Sequence, residues 1–198
     1  MPKHPNAGRI NTAADVKDNL LPVLVGGDIL TYSYVREFYR AYGLRKCIVL
    51  ATQDIKVISS STFTDYRLRE GIHDPEVLCC ELESIAREVN GVKTLLLLGS
   101  DDVHARIFSS NKERLERAGY VVPYIDFDLL DDITQKRRFY ELCEELGIAY
   151  PKTWYFDCSD SQLEIPVDSF TYPLIAKPSN SAQFQEADIP HKKKIYEI

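Results

Sequence analysis

The chain has 198 residues, 44% of them apolar, and carries a net charge of −6. This length and apolar content allow a substantial buried core, whereas the acidic balance, with no basic run longer than three residues, argues against nucleic acid as a main partner. The five cysteines form no CxxC pair and the four histidines are scattered, so neither a disulfide framework nor a metal site is predicted within the chain.

Hydropathy gives no indication of a membrane protein. No apolar run approaches the ~20 residues needed to cross a bilayer, and the polar N-terminus has no apolar core of the kind a signal peptide needs. We therefore expect a cytoplasmic protein with reduced cysteines.

Residues 1–20 are polar and are predicted to form a flexible N-terminus, with the ordered domain starting at Pro22. Beyond it, apolar runs of strand length alternate with segments of helical periodicity. The predicted strands are Val23–Val25, Cys47–Ala51, a short strand near Val57 and Ile58, Thr94–Leu98 and Tyr120–Ile125. The predicted helices run from a Thr31 cap to Gly43, from Pro75 to Asn90, and from about Asp102 to Ala118 with a break at residues 109–111. This alternation predicts an α/β fold, a Rossmann-like parallel sheet with helices on both faces.

Two loops of this sheet are candidates for substrate binding. Gly26, Gly27 and Asp28 follow the first predicted strand, and Ser100 and Asp101 follow the strand that ends near residue 98. Open parallel sheets bind ligands beyond the carboxyl ends of their strands, so these loops would face a substrate. The alternative is that the glycines serve only the tight turns between strand and helix.

Three other features of this part of the chain bear on its function. The first loop lacks the G-x-G-x-x-G pattern of a dinucleotide-binding domain, which disfavours NAD or FAD. A polar segment that contains Thr62, Thr64 and Asp65 is predicted to be a loop, either facing a substrate or solvated. His104 is interpreted as a packing or surface histidine rather than a catalytic base.

A helix with an unusual charge order is predicted after residue 134. Thr134 is its predicted N-cap, Gly147 its end, and its buried face is formed by Phe139, Leu142, Cys143 and Leu146. Lys136, Arg137 and Arg138 crowd its N-terminal end, where cations oppose the helix dipole at a cost of ~0.3–1 kcal/mol each. An anionic ligand would make this arrangement favourable, because cations and unpaired helix amides would both face it. A solvated basic turn is the alternative.

Lys177 follows an apolar run, Pro173–Ala176, that is predicted to be a buried strand. A lysine in this position must reach water or meet an anion, and a phosphate would serve. Ser179 and Ser181 follow as small hydrogen-bond donors. The alternative is an ordinary lysine at the end of a strand.

Together these segments resemble the ATP-grasp superfamily of carboxylate–amine ligases. The resemblance rests on the ordered segments Gln135-Lys136, the following helix, Leu146-Gly147-Ile148, Pro151-Lys152-Thr153 and Tyr172–Pro178. KPSNS and the later KKKIYEI are most similar to the carbamoyl-phosphate-synthase-like and D-aspartate-ligase-like branch. The resemblance implies that Lys136 and Lys177 contact ATP phosphates, with Ser179 and Ser181 nearby, and that the ligands of Mg²⁺ lie outside this chain.

The resemblance also implies a domain organisation and a reaction. Residues 21–128 would form a pre-ATP-grasp Rossmann-like domain, and residues 129–198 the truncated start of the ATP-grasp nucleotide-binding subdomain. ATP would convert a small-molecule carboxylate to an acylphosphate, from which an amine displaces phosphate.

Because the resemblance implies a C-terminal half that this chain lacks, we expect the chain alone to be inactive. We also expect the final IYEI to be a strand without a partner, and residues 180–194 to form the loop that covers the phosphates, although this loop contains no glycine. A non-catalytic nucleotide-binding module and a Rossmann-like binder of another small molecule remain alternatives. The oligomeric state and the identity of the acid and the amine are not predicted.

Overall fold

The structure is a computed structural model that describes residues 13–89, 93–179 and 196–197. The chain divides into two compact units, Met1–Phe127 and Asp128–Ile198. The assignment of these units to the two ATP-grasp domains stays a prediction.

The first unit contains a parallel sheet of five strands in the order β3-β2-β1-β4-β5. Its strands are β1 Leu20–Val25, β2 Cys47–Ala51, β3 Thr64–Leu68, β4 Thr94–Gly99 and β5 Tyr120–Val121. Its helices are α1 Ala13–Asn19, α2 Ile29–Tyr42, α3 Lys56–Ser59, α4 Pro75–Val89, α5 Asp102–Ser110 and α6 Lys112–Arg117. The predicted α/β class and parallel sheet are confirmed.

The core lies on both faces of the sheet because the central strand is buried on both sides. Leu21, Val23 and Val25 of β1 face a cluster that includes residues of α4, α5 and α6, whereas Leu24 faces a second cluster with Val35 of α2. This alternation along a fully buried strand is what a parallel sheet covered by helices requires.

The start of the first unit differs from the prediction. Residues 13–19 are helical and β1 begins at Leu20, before the expected start of order at Pro22. The N-cap of α2 is Asp28, whose Oδ1 accepts hydrogen bonds from Leu30 N and Thr31 N at 3.0 Å each. The predicted Thr31 cap is therefore wrong, because Thr31 is already inside the helix and its side chain is buried.

The third strand also lies elsewhere than predicted. Val57 and Ile58 belong to the short helix α3, and the strand is the polar segment Thr64–Leu68 that the sequence predicted to be a loop. This strand pairs only with β2, so as an edge strand it stays half exposed and carries polar side chains such as Asp65 and Arg67. Hydrophobicity alone identifies such a strand poorly.

Other boundaries agree more closely with the sequence. Gly43 closes α2 with φ of 66°, and Asn111 separates α5 from α6 at the predicted break. The strand predicted over Tyr120–Ile125 is shorter, ending at Val121. The expected end of the helix at Asn90 lies outside the described residues, which follow α4 to Val89.

The second unit has less regular structure. Its elements are α7 Phe127–Thr134, which begins at the last residue of the first unit, α8 Lys136–Glu145, a short 3₁₀ helix Val167–Ser169, β6 Ile175–Ala176 and β7 Tyr196–Glu197. The last two strands pair antiparallel, Ile175 with Glu197 and Ala176 with Tyr196. The final strand therefore has a partner, contrary to expectation.

Burial in the second unit is lower than predicted. Cys143 is the buried residue of the expected helix face, whereas Phe139 and Leu146 are 44% and 63% exposed. Ile175 of β6 is also exposed, so the run before Lys177 is not a buried strand. Within the described ranges, no helix combines the length and apolarity needed to cross a membrane.

Candidate functional site

The proposed phosphate site in the second unit is built around the start of α8. The Lys136 backbone N–H donates to the Ser179 carbonyl oxygen at 3.3 Å, and Lys136 Nζ lies 3.4 Å from the same oxygen. The N-terminal end of α8 is thereby joined to the segment that carries Lys177, whose side chain is exposed. Ser181 lies outside the described residues. The structure thus brings Lys136 and Ser179 together, although 43 positions separate them.

The cations beside Lys136 have acidic partners. Arg138 contacts Asp132 at 3.1 Å and Glu141 at 3.3 Å, and Arg137 contacts Glu141 at 3.2 Å. The carboxylates of Glu141 and Asp132 raise the pKa of Arg138. These ion pairs explain how the unfavourable charge order along the helix is tolerated without a phosphate. Both arginines are therefore already paired with carboxylates of the protein.

The first turn of α8 is also capped differently from the prediction. Gln135 occupies the cap position without a side-chain cap hydrogen bond, and Thr134 ends α7, where its Oγ1 donates to the Asp131 carbonyl oxygen at 3.1 Å. In place of a side-chain cap, the Lys136 N–H at this end donates to the backbone carbonyl oxygen of Ser179.

A second candidate site lies at the carboxyl edge of the parallel sheet. The strand order reverses between β1 and β4, which is the switch point where open α/β sheets bind ligands. The structure brings the two predicted loops together there, since Ser100 N donates to the Val25 carbonyl oxygen at 3.0 Å. A Cβ at Gly26, where φ is +129°, would overlap the Ser100 side chain, and one at Gly27 would lie 3.2 Å from the Ala51 Cβ. Gly26 is therefore required by close packing and by its backbone conformation, whereas a side chain at position 27 would need its neighbours to shift by a few tenths of an ångström.

Three backbone donors in and beside these loops are used within the protein. Gly26 N donates to the Leu50 carbonyl oxygen and Gly99 N to the Tyr124 hydroxyl, both at 2.8 Å, in addition to the Ser100 bond. A phosphate cradle needs several free backbone N–H groups. These three amides are therefore not available to a phosphate.

Both predicted loop aspartates are helix caps. Asp28 Oδ1 accepts from two amides and from the Thr31 hydroxyl, and Asp101 Oδ1 accepts from His104 N at 2.8 Å. Capping explains their position after each strand. A role in substrate binding stays a prediction for both.

Comparisons with known proteins bear on the ligase resemblance. No family model matches the chain. The chain is 27% identical over 186 residues to a D-aspartate ligase from Enterococcus faecium (strain Aus0004), a match that covers 90% of this chain and 43% of that ligase. The expected resemblance to the ATP-grasp ligases is confirmed.

The fold is also found in a solved structure of a ligase. An L-amino acid ligase from Bacillus licheniformis superimposes with a TM-score of 0.57 at 15% identity, covering 83% of this chain and 38% of that ligase. At this identity the match shows the fold alone. In both comparisons the chain spans less than half the length of the ligase that it matches.

The ATP-grasp resemblance does not account for a third group of residues, which sequence reasoning missed. His104 is 1% exposed, its Nδ1 lies 2.9 Å from Asp101 Oδ1, and its ring stacks on His73 with centroids 5.3 Å apart. Burial acts to raise the pKa of Asp101, but the His104 side chain and amide, with His73, outweigh it and hold the pKa below its ordinary range. The interpretation of His104 as a packing residue agrees with its burial.

His73 lies in the connection between β3 and α4, and the wrong position predicted for β3 hid its proximity to Asp101. A correct strand assignment would have placed both connections at the carboxyl edge of the sheet, which is the signal that could have identified the group.

Proposed function

We propose that this chain forms part of an ATP-dependent carboxylate–amine ligase. The observation that carries the proposal is the similarity to a D-aspartate ligase along 90% of the chain. Because the match covers 43% of that ligase, the ligase activity is proposed for a longer protein, and the 198-residue chain alone is expected to be inactive.

The proposed reaction has two steps. The γ-phosphoryl group of ATP is transferred to a carboxylate of the acid substrate, which gives an acylphosphate and ADP. The nitrogen of a small-molecule amine then attacks the acyl carbon, and inorganic phosphate leaves. Preorganised cations are the main catalytic requirement in such a reaction, since the transferred phosphoryl group carries distributed negative charge.

We propose that Lys136 and Lys177 bind the phosphates of ATP, with Ser179 and Ser181 beside them. Two observations support the fit: the Lys136–Ser179 contact and the exposure of Lys177. When bound, Mg-ATP supplies the phosphoryl group that activates the carboxylate. As the resemblance to the ligases implies, we propose that the ligands of Mg²⁺ lie outside this chain.

Calorimetric titration of the chain with Mg-ATP tests this proposal. Lys177→Ala and Lys136→Ala should each weaken binding by about 10-fold or more, because a hydrogen bond to a charged group is worth ~1.5–3 kcal/mol. Lys152→Ala is the matched control, since this lysine lies 4.7 Å from the centroid of the Trp154 ring and has no proposed ligand role. Unchanged affinity in both variants would remove these lysines from the site.

A turnover assay tests whether the 198-residue chain is active without the rest of the proposed ligase. We expect no steady release of ADP or phosphate from the chain with amino acids and Mg-ATP, and sustained release would overturn the proposed inactivity.

The alternative function is a non-catalytic module that binds a small molecule at the switch point between β1 and β4. It is favoured by the close contact between the two loops there. Thermal shifts with amino acids but not with nucleotides would support this alternative over the ligase.

A further inference from the structure

We propose that His73, Asp101 and His104 form a zinc site at the carboxyl edge of the parallel sheet. One potential ligand atom from each of these residues lies within 4.8 Å of the other two. Asp101 and His104 belong to the first turn of α5, and His73 lies just before α4. All three belong to the first unit, so the proposal is independent of nucleotide binding.

The buried histidine is the strongest evidence for a ligand. Neither ring nitrogen of His104 makes a hydrogen bond with any described residue, and both are inaccessible to solvent. The approach of Nδ1 to Asp101 is close, but it is not a well-aligned hydrogen bond. Buried polar atoms in native proteins nearly always have a partner, which includes bound ions.

The packing around His104 fixes its position. The Cβ of His104 would be only 2.6 Å from a Cβ at position 99, so the ring can occupy this place only because residue 99 is glycine. The Phe108 ring also stacks on the His104 ring, and the centroids of these two rings are 6.3 Å apart. A rigid, buried imidazole is a preorganised ligand.

The composition of the group selects the metal. Two imidazoles and one carboxylate are typical zinc ligands, whereas Mg²⁺ prefers oxygen ligands. In a tetrahedral zinc site the ligand atoms lie about 3.3 Å apart. Any distance between ligand atoms of this group that is longer than this must therefore shorten by side-chain rotation. His73 is exposed and can make this movement, and the 41% exposure of Asp101 leaves the fourth position open to water.

Zinc titration of the chelator-treated chain tests the proposal. Cys80 and Cys158 are exposed and could bind zinc themselves, so the experiment uses a Cys80→Ser/Cys158→Ser background. Calorimetry should show one zinc per chain, and Co²⁺ should give visible absorption typical of tetrahedral coordination without the intense near-ultraviolet band of thiolate ligation.

Two variants assign the ligands. His73→Ala and Asp101→Asn should each weaken zinc binding by at least about 10-fold. Asparagine caps helices as well as aspartate, so Asp101→Asn removes the charge while keeping the cap. Asp102→Asn is the matched control, because it removes one charge from the same helical turn outside the group, and its affinity should change by less than about fivefold.

The proposal is overturned if the background chain binds no zinc, or if His73→Ala and Asp101→Asn bind it as the background does. An equal loss of zinc affinity in Asp102→Asn would also overturn it, because the loss would then follow from removing any negative charge near the site and not from removing a ligand. Circular dichroism and the metal-free melting temperature check that each variant is folded.

Discussion

Gly26 and Ser100 are in such close contact that a Cβ at position 26 would overlap the Ser100 hydroxyl and lie 2.9 Å from its Cβ. This contact joins the loops after β1 and β4 at the switch point of the sheet. Gly26→Ala should therefore destabilise the chain by about 2–4 kcal/mol, because the left-handed φ of +129° and the overlap both oppose a side chain. Urea unfolding followed by circular dichroism measures the difference.

Gly119 provides the control for this substitution. It also has a positive φ, of +104°, but a Cβ there would meet nothing within 4 Å. Gly119→Ala should cost only the backbone strain, about 1–2 kcal/mol. Adding Ser100→Gly to Gly26→Ala should recover part of the lost stability, and no recovery would mean that the overlap is not the cause.

A second prediction separates capping from ligand binding at Asp28. Asp28→Ala should lower the free energy of unfolding by about 0.5–2 kcal/mol, because α2 would lose the acceptor of three hydrogen bonds. Asp28→Asn should be nearly neutral, since asparagine retains an acceptor. If Asp28→Asn is as stable as the parent but loses affinity for a substrate, the carboxylate has a binding role beyond the cap.

The sequence predicted the parts of the fold whose signals are local. Cys47–Ala51 was predicted with its observed bounds because a fully buried parallel strand is continuously apolar. Thr64–Leu68 was missed because an edge strand keeps polar side chains, and its identity depends on pairing with β2. Thr31 was mistaken for the cap because either Asp28 or Thr31 satisfies the residue preference, and only the backbone conformation distinguishes them.

In the candidate sites, too, the sequence identified single residues but not the contacts between residues that are distant along the chain. The sequence singled out Lys136 and Ser179 separately, but only the fold shows that they meet. His73 and His104 are 31 positions apart (104 − 73), and no spacing rule connects them. The arginines were assigned to a possible anion although Glu141, at i+4 and i+3 from them, was a partner that helical spacing offers, whereas the contact of Arg138 with Asp132 depends on the fold.

A third prediction concerns the buried hydroxyl of Tyr120. It donates to the Leu82 carbonyl oxygen at 2.8 Å, which joins β5 to α4. Tyr120→Phe leaves that buried acceptor without its partner and should destabilise the chain by about 1–2 kcal/mol. Val121→Ala in the same strand, at a position 46% exposed, is the control and should cost less. Equal stability of Tyr120→Phe and the parent would mean that water replaces the lost donor.

The last prediction is a pH dependence that arises from the ion pairs of Arg114. Its guanidinium contacts Glu76 at 2.6 Å and Glu83 at 2.7 Å, which ties α6 to α4. The hydrogen bond from Arg114, with a further one from Cys80, lowers the pKa of Glu76 from 4.5 to about 2. A carboxyl whose pKa is lower in the folded state stabilises the protein above its unfolded pKa. That contribution is lost as the pH falls from 4.5 towards 2, when Glu76 takes up a proton.

Glu76→Gln removes this contribution at every pH. The variant should be less stable than the parent near neutral pH, and the difference should shrink as the pH falls from about 6 to about 3. Urea midpoints across this range measure it. Glu113→Gln, an exposed glutamate of α6 outside the Arg114 cluster, is the control and should stay close to the parent throughout. A difference between Glu76→Gln and the parent that does not vary with pH would show that Glu76 acts through packing, because only the ionised carboxylate is removed by acid.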